Sequence, residues 1–304
     1  MKLLLTGAFP YTEEQIEYIG SLGYEVTFYQ DERIPIPFDV SDIEAVVCNG
    51  LFLYTPIERF KSLKLIQLTS AGLDRAPLDY ICEHGIQLFN ARGVYSIPMA
   101  EFALSGVLAL YKQLPYFIKN KGQHLWEKHR GLLELAGKTV CIVGAGSIGC
   151  ECAKRFKAFD TVNIGVDLYP KENAHFDIIK PINELEGAIC EADIVILTLP
   201  LIKENEGFFN SEKFKRMKPN AIFVNISRGK LVNEADLITA LKTKMIGGAV
   251  LDVFALEPLS EGSPLWKMEN ALISPHNSFV GENNNVRMFE LACSNLKEYL
   301  RESK

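Results

Sequence analysis

Thr139-Val-Cys-Ile-Val-Gly-Ala-Gly-Ser-Ile-Gly149 decides the fold. Its first five residues, ending at Val143, are an apolar run of strand length. Gly144 to Gly149 then follow in the spacing Gly-x-Gly-x-x-Gly and open a stretch rich in Ala, Lys and Phe that reads as a helix. Glycine at 144 permits a tight turn, glycine at 146 lets the backbone approach a pyrophosphate, and glycine at 149 allows close helix–strand packing. The amides around Ser147 and Ile148 would meet phosphates at the positive end of the helix dipole. Asp167 stands eighteen residues beyond Gly149, at the end of the next apolar run, Val162 to Val166. A carboxylate there accepts from ribose hydroxyls and repels a 2′-phosphate. Leu168 and Tyr169 bring no cation, so the expected cofactor is NAD rather than NADP.

Working outward, further strand-like runs are Asp193 to Thr198, Ala221 to Ile226, Gly248 to Leu251 and Ala271 to Ser274. With the two around the glycine loop they predict six strands alternating with helices, a doubly wound dinucleotide-type domain. Residues 1 to about 95 show a second alternation. Lys2 to Leu5, Glu25 to Phe28, Ala45 to Val47 and Leu65 to Leu68 are strand candidates, and Thr12 to Leu22 and Pro56 to Ser62 are helix candidates. Ile97 to Tyr111 reads as a buried helix, interrupted by Glu101 and Ser105 and too short for a membrane span. Val286 to Leu300 predicts a last helix that packs back on the first domain, because the cofactor sheet is complete by residue 274.

The 304 residues exceed the usual single-domain range, and 48% hydrophobic with 23% charged residues suit an ordinary globular protein. A formal net charge of −6 argues against nucleic acid or an anionic membrane as partner. Seven cysteines without a Cys-x-x-Cys pair, an apolar N-terminal run of only three residues before Thr6, and no metal-ligand cluster lead us to expect reduced thiols, a cytoplasmic location and no metal.

Three polar residues follow the last apolar runs: Arg228, Glu257 and His276. In an open parallel sheet, ligands bind beyond the carboxyl ends of the strands. Arg228 offers a permanently charged planar fork for a carboxylate and polarises the adjacent carbonyl. His276 is a proton donor or acceptor near neutral pH. Glu257, bonded to the other ring nitrogen, would orient the imidazole and favour its protonated form.

Together the motifs resemble the D-isomer-specific 2-hydroxyacid dehydrogenases over nearly the whole chain. The matching segments are Ser70 to Asp74, Met99 to Glu101, Leu135 to Lys138 with the glycine loop, Leu197 to Pro200, Asn225 to Gly229, Leu251 to Val253, Glu257-Pro258 and Ser274 to His276. The resemblance implies two doubly wound parallel-sheet α/β domains, with a Rossmann NAD domain (97–276) inserted in a flavodoxin-like substrate domain (1–96 plus 277–304). It implies hydride transfer between NAD(H) and a small 2-oxo or 2-hydroxy acid, with Arg228, Glu257 and His276 as catalytic residues. It further implies that Asp252 faces the nicotinamide carboxamide, that Ile226 and Ser227 line the nicotinamide end, and that Pro200 lies on the adenosine side. By the same resemblance Asn49, Gly50 and Leu51 form a substrate-carboxylate loop, the substrate lies between the domains, and a homodimer forms through Ile97 to Tyr111 and Lys119 to Arg130, with Trp126 a candidate anchor. The loop carries Asn49 but no arginine, which disfavours a phosphorylated substrate. Phe279 departs from the small-residue run usual after the histidine. Two other readings stay open: oxidation of another small anion such as phosphite, and a non-catalytic NAD-sensing interaction protein.

Overall fold

The computed structural model describes residues 1–302. They divide into two compact units, one made of Met1–Tyr95 with the chain from Gly281 onward, the other of Ser96–Val280.

The first unit begins with β1 (Lys2–Thr6), α1 (Glu13–Ser21), β2 (Glu25–Tyr29), β3 (Ala45–Cys48), β4 (Leu65–Leu68), α2 (Leu78–Glu83) and β5 (Gln87–Phe89). The strands pair in parallel in the order β2-β1-β3-β4-β5. β3 and β4 are continuous apolar runs because both faces are covered, whereas the edge strand β2 is largely exposed. Thr12 starts α1 with a reciprocal cap: its hydroxyl accepts from the Gln15 amide at 3.3 Å, and the Gln15 side chain accepts from the Thr12 amide at 3.1 Å. The helix expected at Pro56–Ser62 is only a 3-10 turn, Ile57–Arg59. Its Phe60 and Ile57 are anchored in the core, and the Arg59 guanidinium donates to the carbonyls of Ile36 and Phe38, which holds a loop rather than a helix. β5, three residues long, escaped the sequence reading because so short a run carries no period.

The second unit opens with α3 (Ser96–Tyr111) and α4 (Leu114–Gly122), then alternates β6 (Thr139–Val143), α5 (Ser147–Lys157), β7 (Val162–Asp167), β8 (Ile178–Pro181), α6 (Leu185–Glu191), β9 (Ile194–Leu197), α7 (Ser211–Arg216), β10 (Ile222–Asn225), α8 (Glu234–Lys242), β11 (Gly248–Leu251) and β12 (Ala271–Ile273). All seven strands are parallel, ordered β12-β11-β10-β9-β6-β7-β8. The sequence predicts six. The seventh, β8, pairs with β7 from Ile164↔Ile178 to Asp167↔Pro181 and is masked in sequence by its Lys180-Pro181 end. α3 is nearly all apolar and lies against α5 and the sheet, where Gly106 is required: a Cβ there would fall 2.5 Å from a methyl of Val250. The chain turns back through the sheet between β6 and β9, the reversal of strand order that defines a doubly wound fold.

The chain then returns to the first unit as α9 (Asn284–Glu302), as its sequence period predicts. Cys293 and Leu296 join Leu3, Leu5 and Ala45 in one core cluster, the Tyr24 hydroxyl donates to the Leu296 carbonyl at 2.9 Å, and Arg287 donates to the Val94 carbonyl at 2.8 Å. Among the described residues no helix is long and apolar enough to cross a membrane.

Candidate active site

The glycine loop joins β6 to α5 at the strand-order reversal. Gly144 has φ +107°, and a Cβ on it would meet Thr198 at 2.9 Å. Thr198 in turn donates its hydroxyl to the Gly144 carbonyl at 2.7 Å, which ties the loop to the end of β9. A Cβ on Gly149 would fall 1.9 Å from the Gly144 carbonyl oxygen. These two glycines are demanded by the protein itself. Gly146 is different. Its φ of −78° suits any residue, and a Cβ there would meet nothing within 4 Å. The room kept over Gly146, at the N-terminus of an eleven-residue helix, is the room a pyrophosphate needs.

Asp167, the last residue of β7, already faces this loop: one carboxylate oxygen accepts from the Ala145 amide at 2.7 Å, the other from the Tyr169 amide at 2.9 Å. A carboxylate has about four lone-pair sites, so capacity for ribose hydroxyls remains. Leu168 and Tyr169 are exposed beside it and uncharged. Pro200 is exposed beyond the end of β9, its carbonyl accepting from Asn205 at 2.8 Å. The residues fit a dinucleotide.

The three strands β10, β11 and β12 lie side by side, so the residues after each emerge along one edge. After β10, Asn225 is buried and shapes the turn: its amide donates to the Arg228 carbonyl at 3.1 Å, and its oxygen accepts from the Ser227 amide at 3.2 Å and hydroxyl at 3.1 Å. Ile226 and Ser227 are buried behind Arg228, whose guanidinium donates to the Ser227 carbonyl at 2.8 Å. Gly229 cannot carry a side chain, because a Cβ would sit 1.9 Å from the backbone of Phe254. That close approach brings the loops after β10 and β11 together.

His276 and Glu257 meet directly, the His276 Nδ1 lying 2.8 Å from Glu257 Oε2. The other carboxylate oxygen accepts from the Phe254 amide at 3.0 Å, so the acid is fixed before it fixes the ring. A carboxylate against Nδ1 assigns that nitrogen its proton and leaves Nε2 as the working atom. Phe279 stands edge-on to the imidazole, with centroids 6.1 Å apart.

Asp252 has a second task that its place in a motif did not reveal. It is fully buried, and its carboxylate accepts from the Ser274 hydroxyl at 2.5 Å, the Asn277 amide at 2.7 Å and the Ser278 amide at 2.9 Å. Its carbonyl accepts from the His276 amide at 2.8 Å. These bonds grip the turn in which His276 adopts φ +51°, a left-handed conformation that a residue with a Cβ holds only where its surroundings insist.

In the first unit, Asn49, Gly50 and Leu51 follow β3 as expected, but two of the amides assigned to a substrate carboxylate are already engaged. Asn49 N–H and Gly50 N–H donate to the buried carboxylate of Glu32 at 3.0 and 2.6 Å, and the Thr6 hydroxyl donates to it at 2.7 Å. Glu32 was missed because it lies in Gln30-Asp-Glu-Arg33, a run that reads as a solvated turn. Leu51 is buried at the start of a 3-10 turn. Among the described residues no cluster of His, Cys, Asp and Glu is arranged to hold a metal ion.

The sequence pattern described as "D-isomer specific 2-hydroxyacid dehydrogenase, NAD binding domain" matches residues 104–278. A glyoxylate reductase/hydroxypyruvate reductase of Mus musculus is 36% identical, across 99% of this chain and 95% of its own. A D-3-phosphoglycerate dehydrogenase of Archaeoglobus fulgidus is 31% identical over 91% of this chain, which spans only 53% of that protein's length. A D-isomer specific 2-hydroxyacid dehydrogenase family protein of Aeromonas salmonicida has a crystal structure that superposes with a TM-score of 0.81 at 29% identity, covering 99% of this chain and 96% of its own.

Proposed function

The chain belongs to the D-isomer specific 2-hydroxyacid dehydrogenases, and from that premise we propose that it transfers hydride between NAD(H) and a small 2-oxo or 2-hydroxy acid of the D series. The observation that carries the reading is the 2.8 Å contact between Glu257 and His276 on the edge of the sheet that also bears the glycine loop.

Bound NADH supplies the hydride. Gly146 leaves room for its pyrophosphate, Asp167 accepts from its adenosine ribose, and Ile226, Ser227, Pro200 and Asp252 line its path. Arg228 holds the substrate carboxylate through its planar fork and polarises the carbonyl beside it. His276 Nε2 gives its proton to the carbonyl oxygen during reduction and takes it back during oxidation, while Glu257 holds the ring in the tautomer that permits this. Asp252 keeps the histidine turn in its left-handed conformation. The resemblance gives Asn49, Gly50 and Leu51 a share in holding the substrate carboxylate, and two amides of that loop are already engaged by Glu32.

The reading includes a cytoplasmic homodimer. Ile118 and Trp126 are 70% and 98% exposed on the segment after α3, apolar area that a second copy would cover.

The test is consumption of NADH with a panel of 2-oxo acids, and reduction of NAD with phosphite, in wild type and His276→Ala. We expect turnover with 2-oxo acids. The variant should lose about two to four orders of magnitude in kcat, the usual worth of a positioned acid–base, while NADH still quenches protein fluorescence. Turnover with phosphite alone, or with none of these, would overturn the proposal.

A further inference from the structure

Arg228 follows β10 and His276 follows β12, with β11 between them. One substrate can meet both, its carboxylate at the arginine and its carbonyl at the imidazole, only if the two turns keep a fixed spacing across three strands. The residue placed to set that spacing is Asn225, the last of β10 and 1% exposed.

Its side chain governs the arginine turn. Oδ1 accepts from the Ser227 amide at 3.2 Å and hydroxyl at 3.1 Å, and the Ser227 carbonyl in turn accepts from the Arg228 guanidinium at 2.8 Å. Nδ2 donates to the Arg228 carbonyl at 3.1 Å. Arg228 is thus held at its backbone and at its side chain, both by way of Asn225. The main chain of Asn225 reaches the other way. Its carbonyl accepts from the Asp252 amide at 3.0 Å, and the Asp252 carbonyl accepts from the His276 amide at 2.8 Å. Two hydrogen bonds therefore carry the position of Asn225 across β11 to the histidine. A second route is steric. A Cβ on Gly229 would stand 1.9 Å from the Phe254 carbonyl carbon, and the Phe254 amide donates at 3.0 Å to Glu257, the acid that holds the imidazole. Behind this seam lies a cavity of about 10 Å³, lined by Asn225, Gly229, Glu234 and Phe254 among others, a space of one water. Packing alone does not close the seam, which leaves the register of the two turns to the hydrogen bonds.

We propose that Asn225 is a positioning residue that sets Arg228 against His276 and acts on the reaction through the arginine without touching substrate. The inference rests on the dehydrogenase reading. The site asks for a donor and an acceptor on one short planar group, which asparagine supplies. Aspartate keeps the acceptor and loses the donor, and alanine keeps neither. Either change cuts the tie from Asn225 to Arg228 in part or whole, and leaves the main-chain tie to the histidine in place.

The experiment measures kcat and KM with NADH and the fastest of glyoxylate, pyruvate, hydroxypyruvate and oxaloacetate. Wild type, Asn225→Asp, Asn225→Ala, Arg228→Ala and the Asn225→Ala/Arg228→Ala double variant are compared, each well below its melting temperature. We expect Asn225→Ala to lose at least about tenfold in kcat, with KM raised as well, and Asn225→Asp to lose less. NADH binding, read by fluorescence, should stay within about threefold of wild type, because the glycine loop and Asp167 are untouched. The decisive readout is the double variant. With Arg228 already gone, removing Asn225 should cost less than about threefold further in kcat/KM, whereas a general loosening of the fold would multiply the two losses. Full turnover in Asn225→Ala, or losses that multiply, would overturn the role of Asn225 and leave the dehydrogenase reading intact. Should Asn225→Ala fail to fold, Asn225→Asp decides alone, and an unchanged kcat in it overturns the role. A wild type that turns over none of the four acids would instead overturn the dehydrogenase reading and this inference with it.

Discussion

Gly146 and Gly149 stand three residues apart in one motif, yet they are glycines for opposite reasons. A methyl at 149 would enter the Gly144 carbonyl at 1.9 Å, whereas a methyl at 146 would touch nothing. Gly149→Ala should therefore destabilise the second unit as well as abolish cofactor binding. Gly146→Ala should melt at the wild-type temperature and still bind NADH at least about tenfold more weakly, since its only cost is to the ligand (about 1.4 kcal/mol per tenfold). Thermal melts and fluorescence titration of the two variants check this; equal melting losses would refute it. Glu32 makes a similar point for a residue that sequence motifs did not flag. Its carboxylate satisfies three donors, and glutamine has only one acceptor oxygen. Glu32→Gln should leave a buried amide at Asn49 or Gly50 without a partner and lower stability by about 1–3 kcal/mol in urea unfolding. Arg228, Glu257, His276 and Asp167 stood out in the sequence as candidates because each combines a distinctive chemistry with a place just past an apolar run. Glu32 and the grip of Asp252 on the histidine turn did not, because their roles lie in partners distant in sequence.

Among elements, legibility followed length and burial. β6 and β11 were read to the residue, since runs buried on both faces have nothing polar to blur their ends. β5 and β8, at the sheet margins, were lost for want of a pattern, and Pro56–Ser62 was read as a helix where carbonyls captured by Arg59 hold a loop. α3 was placed correctly, but nothing in its sequence says which of its residues is fixed by contact with the sheet. The structure names Gly106, whose absent side chain lets the helix close on β11, since a Cβ there would fall only 2.5 Å from a Val250 methyl. Gly106→Val should therefore push α3 off the sheet and cost more than the gain in helix propensity returns. Small-to-large changes in packed cores cost roughly 1–3 kcal/mol. Pairing it with Val250→Ala should recover part of the loss, and a double-mutant cycle in urea that shows no coupling would count against this packing.

At the scale of the molecule, the two units differ in how the chain makes them. The second is one continuous stretch, Ser96–Val280, with its own seven-stranded sheet and its own core around Phe209, Phe214 and Phe223. The first is assembled from both ends of the chain, and its sheet face at Leu3, Leu5 and Ala45 is sealed by Cys293 and Leu296 of α9, with Met288 and Ala292 closing a second cluster against Phe9 and Val94. A chain ending at Val280 loses that seal. Burying one large apolar side chain contributes about 1.5–3 kcal/mol, so removing the helix withdraws more than a small five-stranded unit can spare. Limited proteolysis of such a chain should degrade residues 1–95 rapidly and leave a resistant fragment beginning near Ser96. That fragment should retain NADH binding within about threefold of the full chain, because the glycine loop and Asp167 draw every contact described above from the second unit alone, and threefold is about 0.7 kcal/mol. A fragment that unfolds, or one that is stable and does not bind NADH, would show that the cofactor site depends on the first unit.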